Sequence, residues 1–241
     1  MADQPNSKLE IVWQGADEAV VFKPAGLSSE RGAGDVGDCL LVRAQRALRW
    51  PECRLPHRLD RPTRGLMMIS ADAAAAARHG AEIQSHAWRK WYIARVPAHV
   101  AARGDAASLV GEHKAFLKRV GRVASVVRSG GDPSRLAVLA TARATDDPSH
   151  AHLLIRLDTG RYHQIRVMMA HLGFPLIGDV DYGSRSAGAL DLESAALLIA
   201  RPGQLAAHRL RAHPARRGVS PAIEASLDEA LARAAAQLSE A

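Results

Sequence analysis

Apolar residues along the first hundred positions come in short clusters with period-two alternation, broken by turn formers, and so read mainly as strands. Ile11–Trp13 and Ala19–Phe22 predict two short strands, closed by Pro24, Ala25 and Gly26. Residues 35–49 place Leu40, Leu41, Ala44 and Leu48 on one helical face. The run 66–70, LMMIS, reads as a buried strand, and ADAAAAARHGAEIQSHA as a helix on alanine propensity, with Gly80 as a point of interruption. In WRKWYIARV, Trp91, Ile93 and Arg95 alternate against Tyr92, Ala94 and Val96, which predicts a strand over 88–96.

Residues 97–150 are polar and rich in glycine, aspartate and arginine, with weak strand patterns at 116–120 and 136–142 that assign no firm structure. HAHLLIRLDTG alternates as a strand, and RYHQIRVMMAHLG reads as a turn running into a helix that Gly173 ends. The C-terminal stretch spaces Ile223, Leu227, Ala230, Leu231, Ala234 and Leu238 on one stripe, a helix over 221–240 that packs on the core. Strands and helices in this mixture predict an α+β protein. Residues 1–10 are expected to be a disordered tail, and 11–241 one domain with neither repeat nor linker.

Composition adds a partner to this picture. The chain has 241 residues, 47% hydrophobic and 24% charged, ordinary for a globular protein, but its formal charge is +7. That excess suggests a polyanion such as nucleic acid, since each phosphate contact releases counterions; an alanine- and arginine-rich bias is the bland alternative. Cys39 and Cys53 are too few for a disulfide scaffold or a thiolate zinc site, and HExxH and CxxC patterns are missing, so no metal is expected. No signal peptide or membrane-length apolar run is present, so a reducing cytoplasm and no membrane partner are expected.

Two segments carry candidate chemistry. HRLDR, residues 57–61, sets Asp60 between Arg58 and Arg61 near His57, with Leu55, Leu59 and the run Leu66–Ile69 around it. Such a setting implies partial burial, where a charge needs a partner. The second segment, LDTGRYHQIRVMMAHLGFPLIGD, gathers Arg161, His163 and Arg166 about a turn and a first helical turn. An arginine from there would hold Asp60 ionised and aimed; a basic surface helix or a plain architectural pair reads the same residues without function.

Together, RLPHRLDRPTRGLMM and GRYHQIRVMMAHLGFPLIGDVDYG closely resemble the two signatures of the RluA-type family of RNA pseudouridine synthases. VVFKPAGL resembles the family's N-terminal KPAG segment, RKWYIARV its K-x-Y-x-A-x-V segment, and LAAHRLRAHP a worn form of its late LHA…HP strand. The matches run in the family's order from about residue 11 to residue 214. The resemblance implies the pseudouridine synthase fold: a mixed, mostly antiparallel central sheet with flanking helices and loops around an active-site cleft.

It also implies cofactor-free isomerisation of a uridine within transfer or ribosomal RNA, the uridine leaving its stack to be reached. Asp60 matches the catalytic aspartate, for which nucleophile and proton-abstracting roles are both open. Tyr92 matches the tyrosine that stacks on the target base, and Arg166 the arginine that pairs with the aspartate. Lys23, Arg161, His163 and Gln164 are site-shaping candidates for substrate contact, as are His57, Arg58 and Arg61, while Asp179 and Tyr182 read as structural. Arg64 stands where serine is common, Tyr162 where threonine or lysine is, and Met168 where histidine is usual, which weakens any carry-over of substrate identity. The family's frequent N-terminal S4 domain has no place before a match that starts near residue 11, so the catalytic domain itself is expected to grip RNA, as a monomer.

Two other classes compete. A non-catalytic RNA-binding or chaperone protein on the same fold is the alternative, against which stand the Asp60, Tyr92 and Arg166 set and an aromatic content of only 4%. A glycoside hydrolase needs two opposed carboxylates, and Asp60 has basic neighbours; Asp158 precedes a glycine turn.

Overall fold

The computed structural model describes residues 8–32, 37–201, 203–210, 213–214 and 216–239. The tail expected over 1–10 falls largely on residues 1–7, outside the described residues, and Glu10 already opens the first strand. Residues 35–36 of the first expected helix and Arg211 and Ala212 of the LAAHRLRAHP segment also lie outside them.

Along the chain run β1 (Glu10–Gln14), β2 (Glu18–Lys23), α1 (Leu40–Leu48), β3 (Arg64–Ser70), α2 (Ala73–Gln84) and β4 (Trp88–Pro97). A minimal pair, β5 (His99–Val100) and β6 (Gly104–Asp105), precedes β7 (Gly111–Val120), β8 (Val123–Val127), β9 (Asp132–Arg143) and β10 (His150–Leu157). Then follow α3 (Gln164–His171), β11 (Leu192–Arg201), β12 (Gln204–Arg209) and α4 (Pro221–Ser239). Helices and mostly antiparallel strands make the chain α+β. It divides into two compact units, residues 1–88 with 193–210, and residues 89–192 with 211–241.

In the first unit β2 lies antiparallel between β1 and β3, while β11 runs parallel to β3 and pairs antiparallel with β12. Pairing Phe22 with Leu66 and Val20 with Met68 puts all four on one face, where they pack with Trp88, Leu197, Ile199 and Leu210. The opposite face is buried as well, through Ala19, Val21, Met67 and Ile69, which is why LMMIS reads as a continuous apolar run. Gly65 permits the β3–β11 approach: its φ is +120°, and a Cβ there would strike the backbone of Ser194. α2 runs unbroken through Gly80, where a side chain would meet nothing, and Asp72 caps it by accepting the Ala75 amide at 2.8 Å.

A polar network is buried beside this core. Ser70 Oγ lies 2.8 Å from His79 Nδ1, and His79 Nε2 lies 2.6 Å from Glu18 Oε2. Arg201 grips the same Glu18 carboxylate at 2.7 and 2.6 Å. Burial opposes the Glu18 charge, but Arg201 and His79 overcome it and bring its pKa down to about 2. Ser70 and His79 are both fully buried, so this serine–histidine–carboxylate line binds elements together and meets no substrate.

The second unit is an antiparallel series, β4–β10–β9–β7–β8, with Leu153, Leu154 and Ile155 of β10 at its centre. The stretch 97–150, which the sequence pattern leaves unassigned, contains two long strands, β7 and β9, with the short β8 between them. Its alternation is weak because β7 leaves most of its side chains in solvent and β8 buries only Ala124. Gly173 follows α3 with φ +92°, the left-handed stop that the sequence signals.

Candidate active site

HRLDR lies in a loop that the first unit holds by its backbone. Lys23, the last residue of β2, is completely buried, and its Nζ donates to the carbonyls of Pro24 at 3.0 Å, Leu27 at 2.7 Å and Arg61 at 3.1 Å. An ammonium has three donors, and here three carbonyls receive them. Burial pushes the Lys23 pKa down to about 7, against the Asp60 carboxylate, which raises it, and with Arg61, which lowers it further. Ser29 Oγ donates to the Leu59 carbonyl at 2.7 Å and accepts the Leu59 amide at 3.2 Å. Gly26 and Arg61 are tied twice, amide to carbonyl at 2.8 Å and Arg61 Nε to the Gly26 carbonyl at 2.9 Å.

Asp60 thus stands half-buried between two anchored neighbours, at the head of a turn in which the Thr63 amide donates to its carbonyl at 3.0 Å. His57 Nε2 accepts the Met68 amide at 3.1 Å, which requires a neutral ring with its proton on Nδ1, and its edge meets Trp88. Arg58 is exposed and pairs with Glu30. Arg64, the departure from serine, meets the buried Glu193 at 3.1 Å.

The second segment is held by side chains instead. Gln164, the first residue of α3, is buried and locks the preceding turn: its Oε1 accepts Thr159 Oγ1 at 2.8 Å and the Arg161 amide at 3.1 Å, and its Nε2 donates to the Arg135 carbonyl at 3.0 Å. Arg161 itself donates through Nε to the Pro133 carbonyl at 3.3 Å. His163 caps α3 in the left-handed region, φ 55°. Its Nε2 accepts from Arg166 Nη1 at 2.9 Å, so its proton sits on Nδ1, 2.9 Å from Tyr182 Oη. Burial first, and then the Arg166 charge, lower the His163 pKa to about 4 and keep the ring neutral.

Arg166 is 3% exposed, and two acids take its guanidinium: Asp179, itself 2% exposed, at 2.8 and 2.7 Å, and Asp181 at 2.9 Å. The sequence reading foresaw a carboxylate for Arg166 and named Asp60; the contacts within its own unit are with Asp179 and Asp181. Gly178 sets up the bidentate pair, since its φ of +80° and the Ala189 backbone against it admit no side chain. Tyr92 lies buried in β4 opposite Ile155 of β10.

The structure therefore gathers Lys23, Asp60 and Arg61 in one unit, and Arg161, His163, Gln164 and Arg166 in the other. Lys23, His57 and Gln164, expected to touch substrate, bond to the protein itself: Lys23 and His57 to backbone groups, Gln164 to backbone groups and the Thr159 hydroxyl. Ser29, Asp181 and Glu193 were missed. Asp181 had a local signal, an acid two positions beyond Asp179 in the GDVDYG run; Ser29 and Glu193 had none.

Similarity to known proteins agrees with this anatomy. The family model described as RNA pseudouridylate synthase matches residues 18–171. A curated relative, ribosomal large subunit pseudouridine synthase D of Pseudomonas aeruginosa, is 33% identical over 183 residues, covering 74% of this chain and 54% of the relative. The protein of the same name from Escherichia coli is 32% identical over 183 residues, covering 73% and 53%. The chain thus spans about half the length of the curated relatives it matches. Among solved structures, human RNA pseudouridylate synthase domain containing 1 superposes with a TM-score of 0.68 at 22% identity, over 94% of this chain and 90% of that one. Human RNA pseudouridylate synthase domain containing 4 gives 0.63 at 19%, over 91% and 92%. With the first signature segment and the start of the second inside the matched region, the chain belongs to the RNA pseudouridylate synthase family.

Proposed function

We propose that this chain isomerises uridine within RNA to pseudouridine without a cofactor. The N1–C1′ glycosidic bond breaks, the uracil turns while held, C5 bonds to C1′, the C5 proton leaves and N1 gains one. Asp60 acts as nucleophile or base on the ribose or base, Tyr92 stacks on the uracil, and Arg166 belongs to the same catalytic set. Arg58, Arg61 and Arg161, the exposed arginines of the two segments, meet phosphate. The observation that carries the reading is the anchoring of Asp60. Lys23, Ser29 and Arg61 fix the backbone on both sides of it through bonds to the carbonyls of Arg61, Leu59 and Gly26. A reactive carboxylate needs that kind of preorganised support.

The relatives' printed names favour ribosomal RNA of the large subunit as substrate, with transfer RNA as the second candidate. No helix among the described residues is long and apolar enough to cross a membrane. We propose a monomer acting in the cytoplasm.

The test is release of the C5 hydrogen from labelled uridine in large-subunit ribosomal RNA and in transfer RNA transcripts. Wild type should turn over on one of them. Asp60→Asn should fold with a melting temperature within a few degrees of wild type and lose at least about 10³-fold in rate, because an amide is neither nucleophile nor base. Turnover by the folded Asp60→Asn protein would end the assignment. RNA binding without turnover by wild type would favour the non-catalytic reading.

A further inference from the structure

The chain's positive charge is concentrated. Residues 113–131 contain Lys114, Lys118, Arg119, Arg122 and Arg128 with no aspartate or glutamate, a local +5 against +7 for the whole chain. They form the β7–β8 hairpin, and all five cations are exposed, together with Phe116 at 46% and Val120 at 58%. β9 pairs with β7 only from Gly111 to Leu117. Beyond Leu117 the tip has β8 alone as a strand partner, and a lone two-stranded ribbon is marginally stable in water.

Two tyrosines hold that tip. Tyr162 Oη donates to the Arg122 carbonyl in the turn at 3.0 Å. Its ring stacks on His163 at 3.8 Å and 15°, and the Arg119 guanidinium lies over the ring at 4.3 Å; since His163 covers one face, Arg119 takes the other. Arg119 is pinned further by its Nε donating to the Gly121 carbonyl at 3.0 Å. On the β8 side, Tyr182 Oη accepts the Ala124 amide at 2.7 Å and meets His163 Nδ1. Tyr162 and Tyr182 thus grip the turn from both strands and share His163 as their common support.

We propose that the β7–β8 tip is a phosphate-contacting RNA surface, and that Tyr162 is the positioning residue that fixes it in advance of binding. The inference rests on the RNA reading above but not on catalysis. Its physical basis is charge complementarity together with preorganisation: a cationic arm already held in place gives up less freedom when RNA arrives. A threonine at position 162 has neither the ring for Arg119 nor the reach to the Arg122 carbonyl.

The experiment measures binding to a large-subunit ribosomal RNA transcript across a salt series, alongside KM and kcat. The Lys118→Ala, Arg122→Ala double variant alters only exposed side chains, so it keeps its fold. Its log–log salt slope should fall by about 1.4–1.8, the share of two phosphate contacts. Tyr162→Thr should keep the slope while binding weakens and KM rises by roughly fivefold to twentyfold, with kcat within about twofold, and Tyr162→Phe should lie between, having lost only the hydrogen bond. All are measured at a temperature where circular dichroism shows them folded. A double variant with the wild-type slope overturns the surface, in which case the hairpin serves another partner. A folded Tyr162→Thr protein with wild-type affinity and KM overturns the positioning role. Wild type that binds RNA with a cation-dependent slope yet releases no C5 hydrogen defeats the catalytic reading alone; wild type that binds no RNA defeats both.

Discussion

The two signature segments both surround a charged residue, yet they are built by different means. Around Asp60 the support is aimed at backbone: Lys23 gathers three carbonyls, Ser29 takes both polar groups of Leu59, and Arg61 closes on Gly26. Around Arg166 it runs between side chains, with Asp179 and Asp181 on the guanidinium and His163 between Arg166 and Tyr182. A loop held through carbonyls keeps its position when its acid changes. A helix start held through ion pairs depends on each partner. The difference lies in what carries the support: backbone carbonyls in one segment, ion-paired side chains in the other.

This contrast predicts where stability resides. Arg166→Ala leaves the buried Asp179 without its counter-charge and should cost roughly 3–5 kcal/mol by chemical denaturation, far more than Asp60→Asn. Arg166→Lys should recover part of that and less of the activity, because an ammonium cannot reproduce the two-pronged contact. Equal losses for Arg166→Ala and Asp60→Asn would erase the comparison.

Lys23→Met, similar in volume, abandons three carbonyls and should cost about 2–3 kcal/mol. It also carries a pH signature. The folded Lys23 pKa of about 7 lies below its ordinary 10.5, so between those values the unfolded chain holds more protons and the wild type gains stability as pH rises. Stability profiles of wild type and variant should therefore run parallel below pH 7 and diverge above it. Profiles that stay parallel above pH 7 as well would show that the burial of Lys23 has no such effect.

A smaller effect separates the two buried histidine networks. His163 titrates near 4 when folded against an ordinary 6.5, so its contribution is lost as pH falls through that window, by at most about 1–2 kcal/mol after solvent screening. Glu18, depressed from 4.5 to about 2, is complete above 4.5 and fails only in stronger acid. His163→Gln should flatten the upper window and leave the lower one, as read by melting temperature against pH. Smallest of all, Arg58→Ala breaks only an exposed pair with Glu30 and should change stability by less than about 0.5 kcal/mol while weakening RNA binding.

Legibility followed burial. β3 and β10 declared themselves because their apolar runs face a core, and α4 because its stripe is amphipathic. β7 and β8 were nearly silent, for a wet hairpin needs no alternation, so the basic tip could not be placed from sequence. Asp60, Tyr92 and Arg166 were readable only because two long segments carry a family pattern. No periodicity marks them.

What the sequence determined by itself was the α+β mixture, the positive charge and the order of the two signatures, since each is written in residues close together along the chain. The tertiary structure decided the pairings. Lys23 reaches the Arg61 carbonyl across 38 positions and Arg64 meets Glu193 across 129, while the acids seen on Arg166 lie only 13 and 15 positions on. Strand register and the turn at Gly178 determine which of many charges become neighbours. Burial then enforces the choice, because a charge removed from water must keep the partner that the fold provides.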